Sequence, residues 1–234
     1  MSGRAMGQKL SVVIPAYNEG RTVGEIVERV LALPMEKEVI VVDAGSTDST
    51  AAVLKELGRK HPEMTVVTLS ESLGKGSALR AGFARVRGEV ILVQDADLEY
   101  DPEDYPALLA ALEKPGAEMV YGSRIIGKNP HGPMSYFLGG WVISLLTSLL
   151  FRTHISDEPT GYKVFPRELL DTIHLESRGF EFCPEITAKA LRRGYTIREV
   201  PIRYHPRGLA EGKKIRWTDG LKAVCTLIKY CVSG

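Results

Sequence analysis

Asp95 and Asp97, separated by Ala96, follow the apolar run Val90-Ile91-Leu92-Val93. In extended backbone, residues two apart point the same way, so both carboxylates face one site. Such a pair at a strand's C-terminal end suits a hard divalent cation, Mg²⁺ or Mn²⁺, that takes further oxygen ligands from a bound diphosphate. In isolation, two surface carboxylates ahead of the helix that starts near Asp101-Pro102 would look the same.

The pair is not isolated. Residues 10–19 read as a buried strand running into a polar loop, and residues 39–48 repeat that pattern. Each strand ends in acidic or amide groups. Ligands of an open parallel α/β sheet bind beyond the carboxyl ends of the strands, so the three acidic strand ends converge on one crevice.

The elements that must position these groups follow a βα rhythm. Strands are expected near 10–15, 37–43, 64–69, 89–95 and 117–121, with helices near 21–33, 48–60, 76–87 and 102–113 between them. That alternation implies a mostly parallel sheet with helices on both faces. After Arg124 the pattern changes to a Gly- and Pro-bearing loop, an apolar helix, the 160–166 segment, a helix around 184–193, a strand near 196–204 and a C-terminal helix from about Trp217. One domain over 1–234 is expected, with 125–234 elaborating its acceptor side.

Four ordered segments carry a resemblance: residues 11–19, the Asp43–Asp48 loop, Gly74-Lys75-Gly76-Ser77-Ala78, and Asp95-Ala96-Asp97. Together they resemble inverting family 2 glycosyltransferases of the GT-A fold, and within them the dolichol-phosphate mannosyltransferase-like branch that glycosylates polyprenyl phosphates. The resemblance implies a nucleotide-sugar site over 8–124 that includes Pro15, Tyr17, Glu19, Val42, Asp43, Lys75, Asp95, Ala96, Asp97 and Arg124. It places the metal on Asp95 and Asp97, with Glu99 a further candidate, and the lipid phosphate on Arg124, Arg207, Lys213 and Lys214. The second loop departs from the family in reading Asp43-Ala44 where two acidic residues are common, so only Asp43 carries over.

A UDP- or GDP-hexose is the implied donor. A lipid phosphate acceptor is already largely ionised at neutral pH, its second pKa lying near ~6, and needs no general base. A hydroxyl acceptor on a glycan, lipid or metabolite does need one, and Asp157 or Glu185 would serve as the catalytic carboxylate. Glu185 equally fits as a charge favouring a helix start. A silent nucleotide-sugar-binding subunit docked on a membrane-anchored partner is a third reading, and the intact carboxylate set argues against it.

Composition limits the alternatives. A formal charge of +1 on 234 residues provides no field for nucleic acid, and 44% apolar content is ordinary for a globular enzyme. Cys183, Cys225 and Cys231 are odd in number and lack metal-pair spacing, which suggests a reducing, cytoplasmic setting. Residues 1–7 carry no apolar signal core. The Gly74 segment lacks the lead-in of a Walker loop, so its glycines are read as permitting a tight turn.

Two segments suggest contact with a membrane surface. Residues 133–151 contain no charge, and Leu138, Trp141, Val142, Leu145 and Leu149 share one helical side opposite Gly140, Ser144, Thr147 and Ser148. A single crossing would separate the metal carboxylates from the 157–165 motif, so an interfacial helix or a core helix is expected instead. The C-terminal helix pairs Trp217, Leu221, Val224, Ile228 and Val232 with nearby lysines. Attachment would be peripheral, on the cytoplasmic membrane face.

Overall fold

The computed structural model describes residues 9–130, 133–207 and 214–232. A seven-stranded sheet runs through it, built from β1 (Leu10–Ala16), β2 (Lys37–Asp43), β3 (Thr65–Thr68), β4 (Val90–Val93), β5 (Met119–Ser123), β6 (Lys163–Pro166) and β7 (Ile197–Pro201). Strand order is β3-β2-β1-β4-β6-β5-β7. All pairings are parallel except those of β6, which runs antiparallel to both β4 and β5. The order turns at β1 and β4, the place beyond whose strand carboxyl ends open α/β sheets bind their ligands. Asp95 and Asp97 follow β4 directly at that point.

Helices α1 (Val23–Ala32), α2 (Thr50–Lys60), α3 (Lys75–Phe83) and α4 (Tyr105–Leu112) fill the connections, close to their expected places. α1 illustrates the cause: Val23, Ile26, Val27 and Val30 recur at helical spacing and are buried. Residues of the central strands are buried on both faces. Val12, Ile14, Val39 and Val41 join one core cluster and Val13, Ile40 and Val42 the other, as the two-residue period requires.

The later elements are α5 (Met134–Phe151), α6 (Glu168–Thr172), α7 (Phe182–Arg192) and α8 (Trp217–Val232). α5 is apolar and long enough to cross a membrane by length and composition. Yet Arg124, before it, and Asp157, after it, are hydrogen-bonded to each other, which excludes a single crossing in this fold.

The inward side of α5 is mixed: Ser144 and Thr147 are buried beside Ile143, and Leu146, Leu150 and Phe151 pack on the cluster shared with α7 and α8. The Ser144 hydroxyl accepts from the Glu158 amide at 2.9 Å and the Ser148 hydroxyl from the Ile155 amide at 3.1 Å, while Thr147 is buried. Leu138, Trp141, Val142, Leu145 and Leu149 face outward, Leu149 at 68% exposure. α8 packs beside it through Ala223, Leu227 and Tyr230, leaving Trp217 at 78% exposure together with Leu221, Ile228 and Val232.

Candidate active site

The Asp95–Asp97 turn is held from beneath. Gln94, fully buried, accepts from the Tyr105 hydroxyl at 2.8 Å and the Tyr162 hydroxyl at 2.7 Å, and its amide donates to the Asp95 carbonyl at 2.9 Å. One side chain thus ties β4, α4 and β6 to the start of the turn. Leu98 takes a left-handed φ of 62°, unusual for a branched residue, and the Glu99 amide donates to Asp97 Oδ1 at 3.1 Å. On the other side, Gly161 abuts the pair so closely that a Cβ there would lie 2.3 Å from Asp95 Oδ2.

Cationic side chains face these carboxylates. Lys75 Nζ lies 2.5 Å from Asp95 Oδ1. The Arg207 guanidinium bridges Asp97 Oδ2 at 2.9 Å and both Glu19 oxygens at 3.1 Å. Lys214 Nζ adds a contact to Glu19 Oε1 at 2.5 Å and another to the Tyr17 carbonyl. Burial would raise the Glu19 carboxyl, but its bonds to Arg207 and Lys214 bring it below the usual range. Burial, followed by repulsion from Asp95 and Glu99, pushes Asp97 up to about 7 against the pull of Arg207.

Such a site fits a divalent cation in a restricted sense. Among the described residues, no three Asp, Glu, His or Cys side chains are arranged to hold a metal unaided. Two hard carboxylate donors converge, however, and a guanidinium already bridges Asp97 and Glu19, so the local field favours positive charge. The missing ligands are of the kind that diphosphate oxygens supply.

Beyond β1 and β2, two loops clasp each other. Asn18, at φ 49°, accepts from the Thr47 amide at 2.8 Å on its side-chain oxygen, and its own backbone amide donates to the Ser46 hydroxyl at 3.0 Å. The Glu19 amide donates to Thr50 Oγ1 at 2.8 Å. Tyr17 and Pro15 remain partly exposed on this rim, whereas Asp43 is buried and accepts from the Ser46 amide at 2.9 Å. The side chains of Val42 and Ala96 are packed in the core. Lys213 lies outside the described residues.

The glycines of the 74–76 segment serve packing. Gly74 has φ 94°, and a Cβ on Gly76 would meet the Ser177 carbonyl at 2.4 Å. The Gly76 and Ser77 amides donate to the carbonyls of Gly179 and Arg178, so these amides of α3 are satisfied by protein. Lys75 alone points a charge into the site.

Arg124 and Asp157 form a fork. Arg124 Nε and its backbone amide donate to Asp157 Oδ2 at 2.8 Å, and Nη2 donates to Oδ1 at 2.6 Å. The Asp157 amide donates in turn to Glu199 Oε1 at 2.9 Å. This corrects the expectation of Asp157 as a general base, because both its oxygens are committed to a guanidinium.

Glu185 is corrected more fully. It is completely buried on α7 and accepts from the Glu176 and Ser177 amides at 2.8 Å each, from Lys189 Nζ at 2.6 Å and from the Tyr230 hydroxyl at 3.1 Å. These bonds overcome the upward effect of burial and lower its pKa, so it organises the 176–177 turn and the α7–α8 contact. Glu99 likewise accepts from the Arg207 amide at 2.8 Å and the Tyr204 hydroxyl at 3.2 Å, which spends it on anchoring the 204–207 segment.

Several residues escaped the sequence reading. Gln94, Tyr100, Tyr204 and Glu199 act by tertiary contact, and only Gln94 left a trace, as a polar residue closing an apolar run. Lys163 and Glu158 form a buried pair, 3.8 Å apart, with Lys163 Nζ 3.6 Å from the Tyr121 ring centroid.

Residues 11–173 match the family described as Glycosyl transferase family 2. The chain belongs to glycosyltransferase family 2. This family 2 chain is 34% identical over 205 residues to the low-salt glycan biosynthesis hexosyltransferase of Haloferax volcanii, covering 85% of itself but only 48% of that protein. It is 33% identical over 215 residues to the polyprenol monophosphomannose synthase of Mycolicibacterium smegmatis, covering 88% of itself and 81% of the relative. Its fold matches glucosyl-3-phosphoglycerate synthase from Mycobacterium tuberculosis, solved with Mn²⁺, uridine diphosphate and phosphoglyceric acid, at a TM-score of 0.75 and 23% identity over 97% of this chain and 79% of that one. The family 2 chain therefore has the GT-A-like α/β fold expected of it.

Proposed function

We propose that this glycosyltransferase moves a hexose from a UDP- or GDP-sugar to a polyprenyl phosphate at a membrane surface, with inversion at the anomeric carbon. One observation carries the choice of acceptor: both carboxylates expected to act as a base are spent, Asp157 on Arg124 and Glu185 on α7 and its neighbours. A phosphate monoester needs no base, since it is largely ionised at neutral pH. The polyprenol monophosphomannose synthase relative agrees with this reading.

In this mechanism Pro15, Tyr17, Glu19 and Asp43 hold the nucleoside end. Lys75 and the carboxylates Asp95 and Asp97 orient the diphosphate, and a divalent ion bound there would neutralise the leaving charge. Arg124, Arg207, Lys213 and Lys214 are shared between the donor diphosphate and the acceptor phosphate. Its oxygen attacks the anomeric carbon as the bond to the diphosphate breaks, releasing the nucleoside diphosphate. The outward apolar sides of α5 and α8 set the protein against the lipid that carries the acceptor.

The test is transfer from a panel of nucleotide hexoses to a short-chain polyprenyl phosphate and to simple alcohols, with Glu185→Gln alongside. Glu185→Gln should retain transfer to the phosphate with the same pH profile. Transfer to alcohols alone, lost in Glu185→Gln by ~10²–10⁴ in rate, would replace the reading with a base-assisted hydroxyl transferase.

A further inference from the structure

The Arg207 guanidinium sits where a divalent ion would draw on Asp97. It touches Asp97 Oδ2 at 2.9 Å and Glu19 at 3.1 Å, while Lys75 neutralises Asp95 at 2.5 Å. Each member of the carboxylate pair is therefore already partnered by a side chain of the same protein. We propose that Arg207 is an internal counter-cation that competes with the divalent ion for Asp97 and gives way only when a nucleoside diphosphate arrives, so that ion and donor bind as one unit. This proposal rests on the site reading above and concerns the order of binding within it.

Three features support exchange over a permanent bridge. Arg207 Nε is buried and has no hydrogen-bond partner among the described residues, so the present seat leaves that donor unused. A diphosphate offers pairs of oxygens that a planar guanidinium engages bidentately, and it carries more negative charge than either carboxylate. The backbone also stays in place without the side chain: the Arg207 amide donates to Glu99 Oε1 at 2.8 Å and the His205 amide to the Glu99 carbonyl at 2.8 Å. The side chain can thus swing from Asp97 to an arriving phosphate while its anchor holds.

Electrostatics sets the sign of the effect. A dication and a guanidinium repel each other at one carboxylate, so each weakens the other when no anion is present. Once a diphosphate binds, it attracts both, and the repulsion becomes cooperation. An arginine that merely held phosphate would give no penalty on ion binding in the absence of nucleotide.

The experiment is a Mn²⁺ titration of the full chain, followed by the EPR signal of free Mn²⁺, with and without UDP or GDP. Wild type should bind Mn²⁺ weakly alone and far more tightly with the nucleotide. Arg207→Gln should bind Mn²⁺ alone roughly tenfold more tightly than wild type, the scale of one charge-assisted contact, and should lose most of the nucleotide's enhancement. Arg207→Lys keeps the charge without the fork, so it should stay near wild type without nucleotide yet show a reduced enhancement. Nucleotide-free Mn²⁺ affinity in Arg207→Gln that equals or falls below wild type, with the same thermal unfolding, would overturn the proposal and leave the site reading standing. A wild type that binds no Mn²⁺ even with nucleotide would remove both.

Discussion

Gly161 is the most exacting residue of the site, because the space its side chain would need belongs to Asp95. Gly161→Ala should displace that carboxylate, weakening Mn²⁺-dependent nucleotide-diphosphate binding at least roughly tenfold in calorimetry while the fold survives. Asp97→Asn should go further and abolish the Mn²⁺ dependence, since an amide keeps the shape but loses the charge. Unchanged Mn²⁺-dependent affinity there would remove the metal assignment. Gln94→Leu tests the support beneath the turn. It orphans two buried tyrosine hydroxyls, at a cost of about 1–3 kcal/mol for each unsatisfied group, read as a lowered denaturation midpoint. At this scale the sequence revealed carboxylates and cations but not their partners. Asp157 and Glu185 looked free because the arginine, amides and tyrosine that occupy them come from other parts of the chain.

Elements were more legible than residues, because hydrophobic period and loop chemistry are local. The β1-to-β5 rhythm follows from them, as do the late helices α5, α7 and α8. β6 did not, since only its neighbours in space make it an antiparallel strand between β4 and β5. α6 spans only Glu168–Thr172, too short to carry a period. One buried carboxylate joins elements in a way that pH can test. Glu38 on β2 accepts from the Ser11 hydroxyl on β1 and from the Arg87 and Gly88 amides before β4. Burial alone would raise its pKa, but these bonds outweigh burial and hold it at about 2. A carboxylate depressed on folding stabilises above its unfolded pKa, so the contribution is complete above pH about 5 and fades as pH falls from 4.5 towards 2. Glu38→Gln should cost about 1.5–3 kcal/mol at neutral pH and flatten the acid limb of the stability curve in that window. An acid limb that stays unchanged would show that Glu38 does not link these strands.

For the whole molecule, the flank formed by α5 and α8 decides how it meets its surroundings. Trp141 and Trp217 stand on that flank with exposed leucines and nearby basic residues. The protein should sediment with anionic vesicles and release in high salt, and replacing both tryptophans by serine should lower partitioning at least roughly tenfold, each large apolar side chain contributing about 1.5–3 kcal/mol. Failure to bind at low salt would oppose a lipid-borne acceptor. The Arg124–Asp157 fork has a separate consequence for this flank. It ties off the 33-residue separation between the two residues at its base, turning α5 and its approaches into a closed excursion. Lengthening such an excursion costs only about 0.6 kcal/mol per doubling, because closure entropy grows with the logarithm of length. The fork holds the two ends of that excursion together, so the crevice side should keep its geometry when an exposed turn beyond it is lengthened. Under the proposed function, lengthening an exposed turn of this excursion should retune lipid reach while donor chemistry is left alone, as a tool is re-handled without regrinding its edge.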